Sequence, residues 1–193
     1  TLLGQEGFRN GMDLYFSYFD GPAVPCADFV EVMSEATTGF DLDQFMRWYE
    51  QAGTPRVKAS GEWNAADGSY TLTLAQSTPA TPGQHAKLPL VIPVAVGLRL
   101  VEDAHSFGFV GLAHAPVPSL LRGFSAPVIL ELDEDDARLA FRMAHDADPF
   151  NRWDAAQRYA ERVALAFAAE PATGVPDDFV AAFRTLLNDA TLD

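Results

Sequence analysis

Only one of the 193 residues is cysteine, Cys26, which excludes an intramolecular disulfide framework and a structural zinc site built on several thiolates. Such sparing use suits a reducing compartment. Basic residues are also scarce: 13 Lys and Arg stand against 27 Asp and Glu, for a net charge of −14. With no basic face to meet a phosphate backbone, nucleic acid and anionic membrane surfaces are poor partners. No apolar run approaches the roughly 18 residues that a membrane-spanning helix needs. Thr1-Leu2-Leu3-Gly4 is neither a signal peptide nor a transit peptide, and without an initiator Met the chain is expected to be a piece of something longer. What is present, 48% hydrophobic and 11% aromatic residues, is enough for a soluble chain with a folded core.

The apolar spacing divides the chain into three. Phe8, Met12, Tyr15, Phe16 and Phe19 recur at helical intervals until Asp20-Gly21-Pro22 breaks the pattern. A second helix is read from Phe29, Val32, Met33 and Ala36. A third is expected to begin at Asp41, as cap, with Gln44 at the reciprocal position of a capping box, and to end at Gly53-Thr54-Pro55. The period then changes: Tyr70, Leu72 and Leu74 alternate with polar residues, and Asn64-Ala65-Ala66-Asp67-Gly68 joins them in a hairpin to Val57–Trp63. Further strands are expected over Leu90–Val96, Ser106–Gly111 and Pro127–Leu132. Helical spacing returns after the acidic run from Glu131 to Asp136, with Asn151 placed to cap one helix and Pro176-Asp177-Asp178 to open another. The expected fold class is mixed α and β: a helical segment over 1–53, a small antiparallel β-sandwich over 54–136, and the start of an α-helical domain over 137–193.

No motif for catalysis emerges. His85, His105, His114 and His145 show no His-Glu-x-x-His spacing, and His145-Asp146-Ala147-Asp148 before Pro149 reads as a helix-end turn. No carboxylate is spaced to orient His105 or His114. The acidic run lacks the glycine and terminal Glu of a calcium loop and reads as a solvated domain junction. Ser106, Ser119 and Ser125 have no nucleophile elbow, and no glycine-rich phosphate loop precedes a helix. Cys26 stands at a helix start with no histidine near it in sequence, and reads as a small buried hydrophobe. The aromatic groups Phe8/Tyr15/Phe19 and Phe45/Trp48/Tyr49 read as core.

The whole chain nevertheless resembles the middle of the bacterial alanyl aminopeptidases, the aminopeptidase N branch of the zinc metallopeptidases. The resemblance is carried by Gly11-Met12-Asp13-Leu14-Tyr15-Phe16, Cys26-Ala27-Asp28-Phe29-Val30, Arg47-Trp48-Tyr49-Glu50-Gln51-Ala52-Gly53-Thr54-Pro55 and Tyr70-Thr71-Leu72-Thr73-Leu74. It continues through Thr78-Pro79-Ala80-Thr81-Pro82, Pro116-Val117-Pro118-Ser119-Leu120-Leu121, Phe124-Ser125-Ala126-Pro127-Val128 and Arg152-Trp153-Asp154-Ala155-Ala156-Gln157.

In that family zinc is held by a His-Glu-x-x-His motif and a downstream Glu, with the motif Glu as general base and a Tyr steadying the oxyanion. The resemblance implies that all of these lie outside this sequence, so no catalytic, cofactor-binding or metal-binding residue is assigned to it. It implies zinc and peptide substrates for a cytoplasmic parent enzyme, contacts from this chain to the catalytic and C-terminal helical domains, and a spacer role for the β-sandwich. The family's extra hairpin between the segments matching Leu90–Val96 and Leu98–Val101 has no counterpart at Gly97-Leu98. The competing reading is a free-standing β-sandwich interaction module. An autonomous hydrolase built on Cys26 or the histidines has no spacing to support it.

Overall fold

The computed structural model describes residues 2–37, 42–95 and 98–190. Two helices open it, α1 (Gly4–Phe19) and α2 (Cys26–Glu35), packed so closely that a Cβ on Gly11 would lie 2.2 Å from the Met33 sulfur. Val30, Met33 and Leu42 form the small core of this segment. The expected Asp41 cap lies outside the described residues. In place of one long third helix, a 3₁₀ turn over Gln44–Met46 runs into a single α turn, α3 (Arg47–Glu50), and the chain is extended again at Gln51. The Gln44 side chain donates to the carbonyls of Pro89 and Val101, 3.1 and 2.6 Å away.

β1 (Arg56–Asn64) and β2 (Ser69–Ser77) form the expected hairpin with Trp63 opposite Tyr70. Its turn is tied by Asn64 Oδ1 accepting from Ala66 N and Asp67 Oδ1 accepting from Ser69 N, and Gly68 supplies the positive φ of +66°. β3 (Ile92–Val94) and β4 (Leu98–Leu100) make a two-stranded sheet; β5 (Ala104–Phe109) and β6 (Ile129–Leu132) complete the larger one in the order β5-β2-β1-β6. One departure from an antiparallel sandwich is that β6 runs parallel to β1. The long connection from β5 to β6 brings β6 in from the far side, which fixes its direction. Val57, Leu72, Leu74, Ile92, Val94, Leu120 and Leu132 meet in one core between the sheets.

Gln76 closes the sandwich internally. It is 9% exposed, donates to the carbonyls of Leu90 and Glu102 at 2.9 Å, and accepts from Leu90 N at 2.7 Å. The buried amide is thereby satisfied on both ends.

The last third is helical: α4 (Asp136–His145), α5 (Pro149–Ala169) and α6 (Asp177–Leu187). Asp135 caps α4 and Asp148 caps α5, so Asn151 is not the cap expected of it. Pro149 occupies the first helical position, where its missing N–H costs nothing, and that sets the start three residues earlier. Leu139, Met143, Ala155 and Tyr159 form the second large core. Among the described residues no helix is long and apolar enough to cross a membrane.

Candidate functional site

The most elaborate polar arrangement lies where the β-sandwich meets α4 and α5. The acidic run is not fully solvated: Glu134 is 2% exposed. It follows Leu132, which points into the sandwich core, and the strand's alternation carries Glu134 inward as well. Arg142 Nη1 lies 2.7 Å from its carboxylate, and Arg158 Nη1 lies at the same distance. Arg158 also donates to the Leu132 carbonyl at 2.9 Å. A carboxylate removed from water needs such partners to remain charged.

A second set of bonds links the loop before β6 to the α4–α5 turn. Ser119 Oγ donates to Asp146 Oδ1 and accepts from Asn151 Nδ2, both at 3.0 Å, and Asn151 also donates to the Leu120 carbonyl at 2.9 Å. Gly123 N donates to the second oxygen of the Asp148 cap at 2.8 Å. That bond holds a turn in which Leu121 (φ 56°) and Phe124 (φ 53°) both adopt the left-handed region without being glycine. Arg142 Nε and Asp146 Oδ2 face each other at 3.6 Å, and among the described residues neither atom makes a hydrogen bond. From the sequence Asn151 is expected as a cap and the acidic run as a solvated junction, and no reading of it singles out Arg142 or Arg158; the joint is made by residues of α4, α5 and the segments around them that only the fold brings together.

The second feature is apolar. A cleft of about 440 Å³ lies between the N-terminal helices and the sandwich, lined by Phe8, Phe29, Met33, Phe45, Trp48 and Pro93 among others. Its floor is anchored by Trp48, whose indole N–H donates to the Val91 carbonyl at 2.9 Å. The aromatic groups expected to be core are only partly so: Phe8 and Tyr49 are each more than half exposed. Too little chain lies over them to cover both faces of α1 and α3.

The remaining candidates stay apart. His85, His114 and His145 are exposed at separate places, and His145 lies against the ring of Phe141. His105 does have a carboxylate near it, Glu102 three residues earlier at 3.6 Å, on an exposed strand edge. Ser106 shares a hydrogen bond with Thr73, and Ser125 donates to the Pro93 carbonyl. Cys26 is exposed at the start of α2 rather than buried. Among the described residues no three His, Cys, Asp or Glu side chains converge, so the donor set here does not fit a zinc site.

The architecture is that of an Ig-like β domain followed by stacked helices, joined by a buried ionic hinge. Residues 53–133 match the family described as Domain of unknown function (DUF3458), Ig-like fold, and residues 136–193 match DUF3458_C, described as ARM repeats. The chain is 39% identical to Aminopeptidase N of Escherichia coli (strain K12) over 218 residues, which takes in 100% of this chain and 25% of that protein. Similarity to Aminopeptidase N of Haemophilus influenzae is 39% over 81% of the chain and 20% of the relative, and to that of Caulobacter vibrioides 42% over 92% and 22%. The solved structure of Legionella pneumophila aminopeptidase A in complex with aspartic acid superposes with a TM-score of 0.84 at 27% identity, over 99% of this chain and 23% of that one. The chain is thus similar over most or all of its length to aminopeptidases N, and spans a fifth to a quarter of the length of the curated relatives it matches.

Proposed function

We propose that this chain is the non-catalytic middle of a zinc-dependent aminopeptidase that removes N-terminal residues, alanyl ones by preference, from peptides in the cytoplasm. In this reading residues 1–53 end the catalytic domain, 54–136 are the Ig-like spacer, and 137–193 begin the helical C-terminal domain. The zinc and the groups that work with it belong to residues beyond this chain. The observation that carries the proposal is similarity to three aminopeptidases N, with 39% identity across all of this chain in one of them. The buried joint between sandwich and helices supports the spacer role, since it fixes one body against the other. The exposed apolar faces of α1 and α6 supply surfaces for the domains on either side.

The test is a chimera in which this chain replaces the matching quarter of the Escherichia coli relative. An active chimera with one zinc per chain, together with no hydrolysis of alanyl p-nitroanilide by the isolated chain, supports the reading. Hydrolysis by the isolated chain, or a chimera that folds and binds zinc but cleaves nothing, overturns it. One observation favours the second reading, an interaction module: part of the β1 edge has no neighbouring strand among the described residues.

A further inference from the structure

β6 pairs with β1 only from Arg56 to Ala59. It then ends at Leu132, and the chain turns away through Asp133 and Glu134 into α4. A pocket of about 530 Å³ opens where the strand is missing, bordered by Lys58, Ser60, Gly61, Tyr70, Asp133 and Arg138. Two independent observations give this pocket a preference.

The first is a tyrosine with a buried ring whose hydroxyl, open to the pocket, has no bonded partner among the described residues. Tyr70 is 7% exposed, and its hydroxyl lies against Gly61, where an added Cβ would fall 1.8 Å from it. Buried tyrosines ordinarily place the hydroxyl on an acceptor. Here, among the described residues, none is within reach. Burial holds the phenol's pKa above its ordinary value, and the neighbouring Arg138 acts in the opposite sense. The hydroxyl is therefore a protonated donor at neutral pH.

The second is the balance of charge. Glu131 is already paired with Arg56 at 2.6 Å, and Glu134 with Arg142 and Arg158. Lys58 and Arg138 form no ion pair among the described residues, while Asp133 is the only bordering acid among them left unpaired. Arg138, close enough to the Tyr70 phenol to act on its titration, is thus left without a bonded carboxylate among the described residues, in a chain whose net charge is −14. A monoanion balances that guanidinium, whereas a dianion meets the three bordering carboxylates.

We propose that this pocket binds a carboxylate, with the Arg138 guanidinium as counter-ion and the Tyr70 hydroxyl donating to one oxygen. Gly61 is the residue that leaves room for the phenol to reach it. The ligand is a small carboxylic acid or the C terminus of a peptide, the latter able to pair also with the free backbone edge at Ser60 and Gly61. The proposal is independent of the aminopeptidase reading, and the chimera experiment decides nothing about it.

The test is calorimetric titration of the whole 193-residue chain with N-acetylglycine, its neutral amide, inorganic phosphate and acetyl-trialanine. The carboxylate is expected to bind, the amide not, and R138Q to weaken binding about tenfold, as loss of a charge-assisted bond does. Y70F, which removes a hydroxyl that holds nothing in the fold, is expected to weaken binding about threefold to tenfold with an unchanged thermal midpoint. Tighter binding of acetyl-trialanine than of N-acetylglycine assigns a chain terminus, equal binding a small acid, and both uphold the site. No heat with N-acetylglycine at about 10 mM, equal response to the amide, preference for phosphate, or full affinity in both variants overturns it.

Discussion

The Arg142 guanidinium and the Glu134 carboxylate meet at 2.7 Å with side chains 3% and 1% exposed, eight residues apart in sequence and on opposite sides of the start of α4. Neither charge has water to return to without opening the joint. R142M is therefore expected to lower stability by about 3 kcal/mol, because Glu134 keeps only Arg158 and Asp146 loses its nearest cation. The double variant E134L/R142M, which removes both charges, is expected to recover at least half of that. Urea denaturation of the wild type, both single variants and the double variant measures the coupling. If R142M shifts stability by less than about 0.5 kcal/mol, the ionic joint is not what holds the two bodies together.

Gln76 gives a second test of the packing between sheets. Q76L keeps much of the volume but leaves the Leu90 N–H and the carbonyls of Leu90 and Glu102 without their side-chain partner. A loss of about 2 to 4 kcal/mol is expected from stranded polar groups at a site 9% exposed. Hydrogen exchange at Leu90 should quicken in step with the drop in denaturation midpoint, and a protected Leu90 amide would contradict the bonding described here.

What the sequence made legible, and what it hid, follows from which partner decides each residue. The β1–β2 hairpin was legible since its alternation and its Asn-Asp-Gly turn are both local. The helices α1, α5 and α6 were legible from their 3.6-residue period, with their ends misjudged by a few residues. The third helix was overextended because Gln44 and Arg47 are engaged by carbonyls some 40 residues away, which no local pattern records. Glu134 and Arg142 look like solvated charges until the fold brings them together. The exposure of Phe8 and Phe16 was hidden for the opposite reason: helical spacing shows that a face is apolar, not that anything in the same chain covers it.

Gly61 and Tyr70 form a tight pair across the hairpin. A Cβ at Gly61 would sit 1.8 Å from the Tyr70 hydroxyl, 2.4 Å from Cζ and 2.8 Å from Cε2. G61A is expected to cost about 1 to 3 kcal/mol as the ring is pushed from its place. Y70F should relieve only part of this, since Cζ stays too close, whereas Y70L in the G61A background should relieve most. The three denaturation midpoints provide the check, and full rescue by Y70F would mean that the ring is not where it is described.

Tyr159 supplies a dependence on pH. It is 1% exposed, donates to Asp178 Oδ1 at 2.6 Å, and has its pKa raised well above the ordinary phenol value, first by burial and then by that hydrogen bond. The folded state therefore keeps a proton that the unfolded chain gives up near pH 10. The stabilisation is complete below about pH 10 and is lost as the pH rises above it, because ionisation then favours the unfolded chain. Urea midpoints should fall between about pH 9.5 and 11 in the wild type, and fall less steeply in Y159F. Equal slopes would show that Tyr159 titrates alike in both states.

The last expectation concerns the apolar face left open at the C-terminal end of the described helices. Val180, Phe183 and Leu187 on α6 recur at helical spacing and are 40%, 45% and 72% exposed, with Val175 beside them on the preceding segment. The inward side of α6 is already committed, since Ala182 is buried against α4 and α5 and Phe179 packs edge-on to Tyr159. Apart from the stack of Phe183 on Phe179 the exposed residues add little to this fold, yet an apolar stripe of this kind binds hydrophobic dyes or other copies of the chain. The double substitution F183K/L187K is therefore expected to abolish most dye fluorescence and concentration-dependent association while leaving the denaturation midpoint within about 0.5 kcal/mol of wild type. Fluorescence titration and light scattering read the first two, and a urea melt the third. A stability loss of about 2 kcal/mol or more would place these side chains in the core of this chain and remove them as a surface for a neighbouring helical domain.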